Sequence, residues 1–170
     1  MHHPERIDQL VGQWAAQRPD LDLKAMALAV RLLTVGQLID ARINGLAAEY
    51  GLHRSEGDVL FTLRRAGAPF RLTPTQLAES LMVTTGTMTN RLDRLQGRGL
   101  ITRVPNPDDR RGVIVELTPA GLELVEAAVT RHVANESDML SVLDDHDRAE
   151  LTRITDALIT HLSESSRAPS

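Results

Sequence analysis

The chain has 170 residues, 42% of them hydrophobic, so it is long enough for one ordinary domain with a real core. It contains no cysteine, which excludes a disulfide framework and a thiol-based oxidant sensor. With no 18-residue apolar stretch and no signal-peptide-like N-terminus, we expect a soluble, cytoplasmic protein, and the net charge of −4 excludes a uniformly basic nucleic-acid binder.

Two amphipathic helices are predicted before residue 51. Apolar residues from Ile7 to Trp14 recur with helical spacing and predict a helix over about 5–17, which Arg18-Pro19-Asp20 ends. Apolar residues spaced by three and four continue over 22–50, a helix of roughly 43 Å at 1.5 Å per residue. That length exceeds what one small domain requires and suits the framework of a dimer.

A third helix is predicted from the run Ser55-Glu56-Gly57-Asp58. Ser55 is the expected N-cap, with Asp58 at the third helical position, and the helix would continue to Arg65 before Gly67.

Residues 73–96 predict a helix-turn-helix. Thr73-Pro74-x-Gln76 is a capping box with proline at the first helical position, so a short helix is expected over about 74–81. Residues 82–84 interrupt the pattern. Thr84 or Thr85 can then cap a second helix that runs to about residue 96 and is closed by glycine.

The second of these helices has the pattern of a recognition helix. Met88, Leu92 and Leu95 share one face and are expected to pack inward. The opposite face carries Asn and Arg, which pair with adenine and guanine, and Thr, which offers a hydroxyl and a methyl. The alternative is a solvated polar face. The candidate DNA-binding residues here are Thr85, Thr87, Asn90 and Arg94.

A hairpin is predicted after the helix-turn-helix. Residues 100–104 are β-branched and apolar, residues 105–109 have turn chemistry, and residues 113–117 alternate again. Arg110 and Arg111 stand at the tip, where a guanidinium can enter a minor groove beside the recognition helix. The alternative is a solvated loop.

The distribution of charge supports a DNA reader. Residues 64–111 contain nine Arg and four acidic residues, a balance of +5, so the remainder of the chain carries −4 − 5 = −9. Neutralisation of phosphates supplies much of the affinity for DNA. A basic central segment between acidic flanks is typical of a DNA-binding unit attached to another structural unit.

Two further helices are predicted at the C-terminus. Thr118-Pro119 repeats the cap-plus-proline start of a helix to about Leu143, and apolar residues from Leu151 to Leu162 form one stripe of a terminal helix. Apolar stripes at both ends of the chain predict pairing with a second subunit. The alternative is a monomer that folds its own helices back.

The segment TNRLDRLQGRGLITR followed by DDRRGVIVELTPAG resembles the winged helix of the multiple-antibiotic-resistance-regulator (MarR) family of transcription factors. The matching features are the wing motif Asp109-x-Arg111 and the exit Leu117-Thr118-x-x-Gly121. The resemblance covers about residues 43–162. It implies a repressor, with Arg111 and its neighbour Arg110 in the minor groove of double-stranded DNA.

The fold implied is mainly α with a small β-hairpin wing, a winged helix-turn-helix on a helical dimerisation framework. We expect dimerisation helices over 1–50, a DNA-binding domain over 51–118 and further dimerisation helices over 119–170. The two recognition helices of such a homodimer would read a palindromic operator.

A narrower resemblance, to the urate-responsive branch of the family, rests on Trp14, Asp58, Arg91 and Arg103. Asp58 and Arg91 are 33 residues apart, and Arg103 follows 12 residues later. The resemblance implies that Trp14, Asp58 and Arg91 line a pocket for a small anionic aromatic effector such as urate, coupled through Arg103. A planar anion can accept hydrogen bonds from Arg and stack on Trp.

Each of these four residues also has a simpler interpretation. Asp58 can satisfy a helix N-terminus, Trp14 can belong to a dimer core, Arg91 can bind a phosphate, and Arg103 can lie on a strand without further role.

The sequence does not favour catalysis, a cofactor or a metal. It has no cysteine nucleophile, no Gly-rich phosphate loop and no G-x-S-x-G motif, and its scattered histidines lack metal-ligand spacing. We expect no enzyme, no cofactor and no membrane partner. The competing hypotheses are DNA binding without an effector and a winged helix used only for protein contacts.

Overall fold

The computed structural model describes residues 3–107, 109 and 112–165. The chain divides after His132 into two compact units. The elements in chain order are α1 (His3–Gln17), α2 (Lys24–Glu49), α3 (Arg54–Arg65), β1 (Arg71–Leu72), α4 (Pro74–Ser80), α5 (Thr85–Gly97), β2 (Ile101–Pro105), β3 (Val113–Leu117), α6 (Pro119–Met139) and α7 (Asp145–Ser165). None of these described helices is long and apolar enough to cross a membrane.

The first unit contains a three-stranded antiparallel sheet in the order β1-β3-β2. β2 and β3 form the predicted hairpin, with Ile101 opposite Leu117. β1 was not predicted, because its two residues are too few to show an alternating pattern. It pairs Arg71 with Glu116 and Leu72 with Val115, so the chain between α3 and α4 is bound to the outer edge of the hairpin.

One core lies between α3, α4, α5, the sheet and the start of α6. The prediction that Met88, Leu92 and Leu95 pack inward is confirmed, since each is at most 1% exposed. Burying one such side chain contributes roughly 1.5–3 kcal/mol, so α5 is held mainly by this apolar face. The largest fully buried side chains are Leu60, Leu63, Leu77, Met88, Leu92, Leu95, Ile101, Val59, Val115 and Val125.

Both helices of the helix-turn-helix begin as predicted. At α4, Thr73 Oγ1 accepts a hydrogen bond from the backbone N of Gln76 at 3.2 Å, and Gln76 Oε1 accepts one from the backbone N of Thr73 at 2.8 Å. At α5, Thr84 is the N-cap and accepts from the backbone N of Thr87. The turn between them places Met82 in the left-handed region at φ 50°.

The predicted start of α3 is wrong. His53, rather than Ser55, is the N-cap: its backbone is extended, and its ring Nδ1 accepts from the backbone N of Ser55 at 3.3 Å. Glu56 closes the capping box by accepting from the backbone N of His53 at 3.0 Å. Asp58 therefore lies one turn inside the helix rather than at its third position. Histidine is not among the favoured cap residues, which is why the pattern misled.

The long helix α2 carries apolar side chains that the single chain leaves exposed. α1 packs against it through buried Ile7, and Arg31 of α2 pairs with Asp8 of α1 at 2.5 Å. Leu28, Leu33 and Val35 of α2 nevertheless remain more than half exposed. In the second unit, α7 has no buried residue and also exposes an apolar stripe that includes Leu151, Ile154, Leu158 and Leu162.

Candidate nucleic-acid interface

The outer face of α5 is polar and open to solvent. Thr85, Thr87, Asn90 and Arg94 are all exposed, on the helix whose opposite face is wholly buried. Thr87 is also oriented, because its hydroxyl accepts a 2.9 Å hydrogen bond from the hydroxyl of the capping residue Thr84. The arrangement presents hydroxyl, amide and guanidinium groups from a rigid element, which are the groups that read base edges in a major groove.

Arg94 also makes a contact that the sequence did not reveal. Its Nε donates a 2.7 Å hydrogen bond to Oε1 of Glu56, a buried residue in the first turn of α3. Arg98, one turn later, donates to the carbonyl oxygens of Gly51 at 2.8 Å and Tyr50 at 3.3 Å. These two arginines join α5 to the junction between α2 and α3.

The base of the wing is closed by backbone hydrogen bonds. The backbone N of Asn106 donates to the carbonyl of Gly112 at 3.0 Å, and the backbone N of Gly112 donates to the carbonyl of Asp109 at 2.9 Å. Arg110 and Arg111 lie outside the described residues. Their minor-groove contact therefore stays a prediction.

The wing is also joined to α5 by a side chain. Arg103 on β2 donates to the carboxylate of Asp93 at 2.7 Å and to the amide oxygen of Gln96 at 3.0 Å. Its side chain is only 25% exposed. Arg103 thus has a defined structural partner on the recognition helix, in addition to the ligand role that the sequence resemblance implies.

The four predicted effector residues lie on four elements. Trp14 is 47% exposed on α1, Asp58 is half-buried on α3, Arg91 is half-buried on α5, and Arg103 lies on β2. A small cavity of about 30 Å³ between α2, α3 and α6 has Asp58 in its wall. Among the described residues, its lining includes none of the other three.

This cavity is mainly apolar and narrow. The rings of Phe61 and His132 meet at its wall with centroids 5.3 Å apart, and Arg54 and Asp58 supply charge. A planar aromatic ligand would enter only if the wall moved. Over the described ranges, the structure contains no group of three or more His, Asp or Glu side chains arranged to hold a metal ion.

Comparison with known proteins agrees with this geometry. The family model described as "MarR family" matches residues 50–112. The regulator PecS of Dickeya dadantii is 38% identical over 156 residues, which cover 92% of this chain and 94% of PecS. The multiple antibiotic resistance protein MarR of Salmonella typhimurium is 36% identical over 107 residues, covering 63% of this chain and 72% of that protein.

Solved structures show the same architecture. A cysteine-to-serine mutant of Escherichia coli MarR, crystallised with operator DNA, superposes with a TM-score of 0.69 at 27% identity, over 80% of this chain and 96% of that one. AbsC of Streptomyces coelicolor shares the fold with a TM-score of 0.73 at 23% identity, over 85% and 97% of the two chains. The capped helix-turn-helix, the hairpin wing and the extent of these similarities together show that the chain belongs to the MarR family of winged-helix transcriptional regulators, which are not enzymes.

Proposed function

We propose that this protein is a homodimeric repressor that binds a pseudo-palindromic operator in double-stranded DNA. The observation that carries the proposal is the two-sided character of α5, with Met88 and Leu92 fully buried and Asn90 and Arg94 exposed on the other side. A recognition helix needs both properties, because it must be held rigidly while it offers polar groups to base edges. The similarity to the MarR structure with operator DNA supports the same role.

The exposed apolar face of α2 supports dimerisation. Leu28, Leu32 and Val35, at positions i, i+4 and i+7 of a helix of 26 residues, are 59%, 42% and 53% exposed. Contiguous apolar surface of this kind is uncommon on a monomer and marks an interface. A two-fold dimer would present two copies of α5 to successive major grooves, with half-sites about 10 bp apart.

We further propose that a small anionic aromatic effector, urate-like in chemistry, releases the DNA. Arg91 and Arg103 provide cations on α5 and on the strand joined to it, while Trp14 offers an exposed aromatic face on α1. Asp58 lies at a cavity beside α2 that would have to open to admit a ring. A regulator of this kind acts in the cytoplasm, where it meets its operator.

Selection of bound duplexes from a random DNA pool tests the DNA-binding function. We expect an inverted repeat whose halves are separated by about one helical turn, and light scattering should give the mass of two chains. A pool without any inverted repeat would contradict the palindromic operator. Retention of no duplex at all would instead support a winged helix that makes only protein contacts.

A further inference from the structure

A buried carboxylate stands directly behind the recognition helix. Glu56 is 5% exposed, and both of its oxygens are engaged. Oε1 accepts from Arg94 Nε at 2.7 Å, while Oε2 accepts from the backbone N of His53 at 3.0 Å and lies 3.7 Å from Nη1 of Arg98. A carboxylate with so little access to water needs such partners, because burying an unpaired charge is costly.

The bond to Glu56 occupies only one donor of Arg94. It uses Nε, so the two terminal nitrogens of the guanidinium are not needed for this contact, and the Arg94 side chain is still 57% exposed. Paired donors on one planar group are what bidentate recognition of guanine requires. Glu56 therefore anchors the inner edge of Arg94 and leaves its outer edge available.

Arg98 links Glu56, and through it Arg94, to the end of α2. It donates to the carbonyls of Tyr50 and Gly51, immediately after α2, and its charge lies close to Glu56 Oε2. The carboxylate thus has a fixed position between the end of α2 and α5. Because Arg94 is hydrogen-bonded to this carboxylate, its long, flexible side chain loses much of its conformational freedom before it binds DNA.

We propose that Glu56 is a positioning residue for base recognition: it orients the guanidinium of Arg94 and thereby sets the base preference at the position that Arg94 reads. The inference rests on the proposed DNA-binding function. It assigns to a buried residue of α3 a part in specificity, through Arg94 and without any contact of its own to DNA.

The choice of variant must separate this role from helix capping. Glu56→Gln keeps an amide oxygen for the backbone N of His53, and glutamine serves equally well in a capping box. It removes the negative charge that pairs with Arg94. Arg94→Lys is the complementary change, since it retains a cation near Glu56 and removes the planar pair of donors.

The experiment is a double-mutant cycle on DNA specificity. Wild type, Glu56→Gln, Arg94→Ala and the double variant are titrated by fluorescence anisotropy against the selected operator and against operators changed at each base pair. We expect Arg94→Ala to flatten the preference at one base pair by about 5- to 150-fold, the range for one bidentate contact. Glu56→Gln should reduce the preference several-fold at that same base pair. The double variant should show the same base preference as Arg94→Ala.

Glu49→Gln is the matched control, because Glu49 is exposed and pairs with Arg131 of α6 at 3.3 Å rather than with an arginine of α5. It should leave every base preference unchanged. Thermal unfolding of each variant reports folding, and Glu56→Asp, which keeps the charge but withdraws the carboxylate from Arg94 by one methylene, carries the test if Glu56→Gln does not fold, since it should show the same selective loss of preference at the Arg94 base pair.

Two results would overturn the inference while the DNA-binding function stands. One is an equal loss of affinity for operator and random DNA in Glu56→Gln, or a double variant in which the losses of binding free energy of the two single variants simply add. The other is that the wild-type protein is sequence-selective, but neither Arg94→Ala nor Arg94→Lys changes its preference at any base pair. A wild-type protein that binds no duplex would overturn the proposed function itself.

Discussion

The guanidinium of Arg103 on β2 donates a 2.7 Å hydrogen bond to the carboxylate of Asp93 on α5, so that the wing and the recognition helix are joined by one ion pair. The Asp93 side chain is 55% exposed, and such pairs contribute only about 0–1 kcal/mol to stability. The pair is better explained by geometry, because it fixes the position of the wing relative to the recognition helix, and we propose that both elements contact the DNA.

Arg103→Ala is therefore expected to lower operator affinity more than it lowers stability. Arg103→Lys keeps the charge, but lacks the planar guanidinium that directs one nitrogen, Nη1, at both Asp93 and Gln96. It should recover only part of the affinity. Gel retardation and thermal unfolding measure the two effects separately. Unchanged operator affinity in both variants would show that the pair has no part in DNA binding.

Asn90 is predicted to specify sequence. Asn90→Ala should weaken the free energy of binding to the preferred operator by about 1–3 kcal/mol and change binding to random DNA little, because a bidentate amide contact to adenine is lost. Thr89→Ala is a matched control on the same helix, since the Thr89 hydroxyl is used within the helix, donating to the carbonyl of Thr85 at 3.0 Å. Equal losses on both duplexes would reassign Asn90 to the DNA backbone.

The wing arginines are predicted to contribute through charge. In a salt series, Arg110→Ala or Arg111→Ala should reduce the slope of log affinity against log salt by about one for each lost phosphate contact. Arg153→Ala is the control, because that arginine is exposed on α7 and pairs with Glu150 at 2.5 Å. If neither wing variant changes the slope or the affinity, the wing does not contact the DNA.

The effector prediction concerns Arg91 and Trp14. Titration with urate, related purines and salicylate-like phenols should quench the fluorescence of Trp14, the single tryptophan. The effector should weaken operator binding by the same factor by which operator weakens effector binding, typically about 5- to 150-fold. Arg91→Ala should abolish this coupling and keep much of the operator affinity, because base reading is assigned to Asn90 and Arg94.

Two outcomes would redirect the effector hypothesis. Indifference of both Trp14 fluorescence and operator affinity to every compound would remove its support. Loss of DNA binding in Arg91→Ala, with the effector still bound, would place Arg91 among the DNA contacts and move the pocket elsewhere.

Gly121 permits a close approach of α6 to the chain before β2. A Cβ at this position would lie 1.9 Å from the carbonyl oxygen of Leu100, a backbone atom that cannot turn away as a side chain would. Gly121→Ala should therefore destabilise the protein by about 1–3 kcal/mol or more. Gly97→Ala on α5, with no atom within 4 Å of the added Cβ, is the matched control in denaturant unfolding. Equal stability of the two variants would contradict the clash.

Local and periodic features could be predicted from the sequence. Thr73, Gln76 and Thr84 act within their own helix turns, so their cap signals are independent of the rest of the fold. The inward face of α5 followed from helical spacing, since one turn determines which side chains share a face. The hairpin and its family resemblance were likewise visible in short stretches of sequence.

Tertiary structure decided which charged groups meet. Glu56 and Arg94 are 38 residues apart, and no spacing within either helix predicts that their side chains are hydrogen-bonded. The same holds for β1, whose two residues become a strand only because β3 lies beside them. The sequence by itself thus determined the helix-turn-helix, the wing and their family. The partners of Arg94 and Arg103 depended on packing, because a long side chain reaches whichever opposite charge the fold brings within hydrogen-bonding distance.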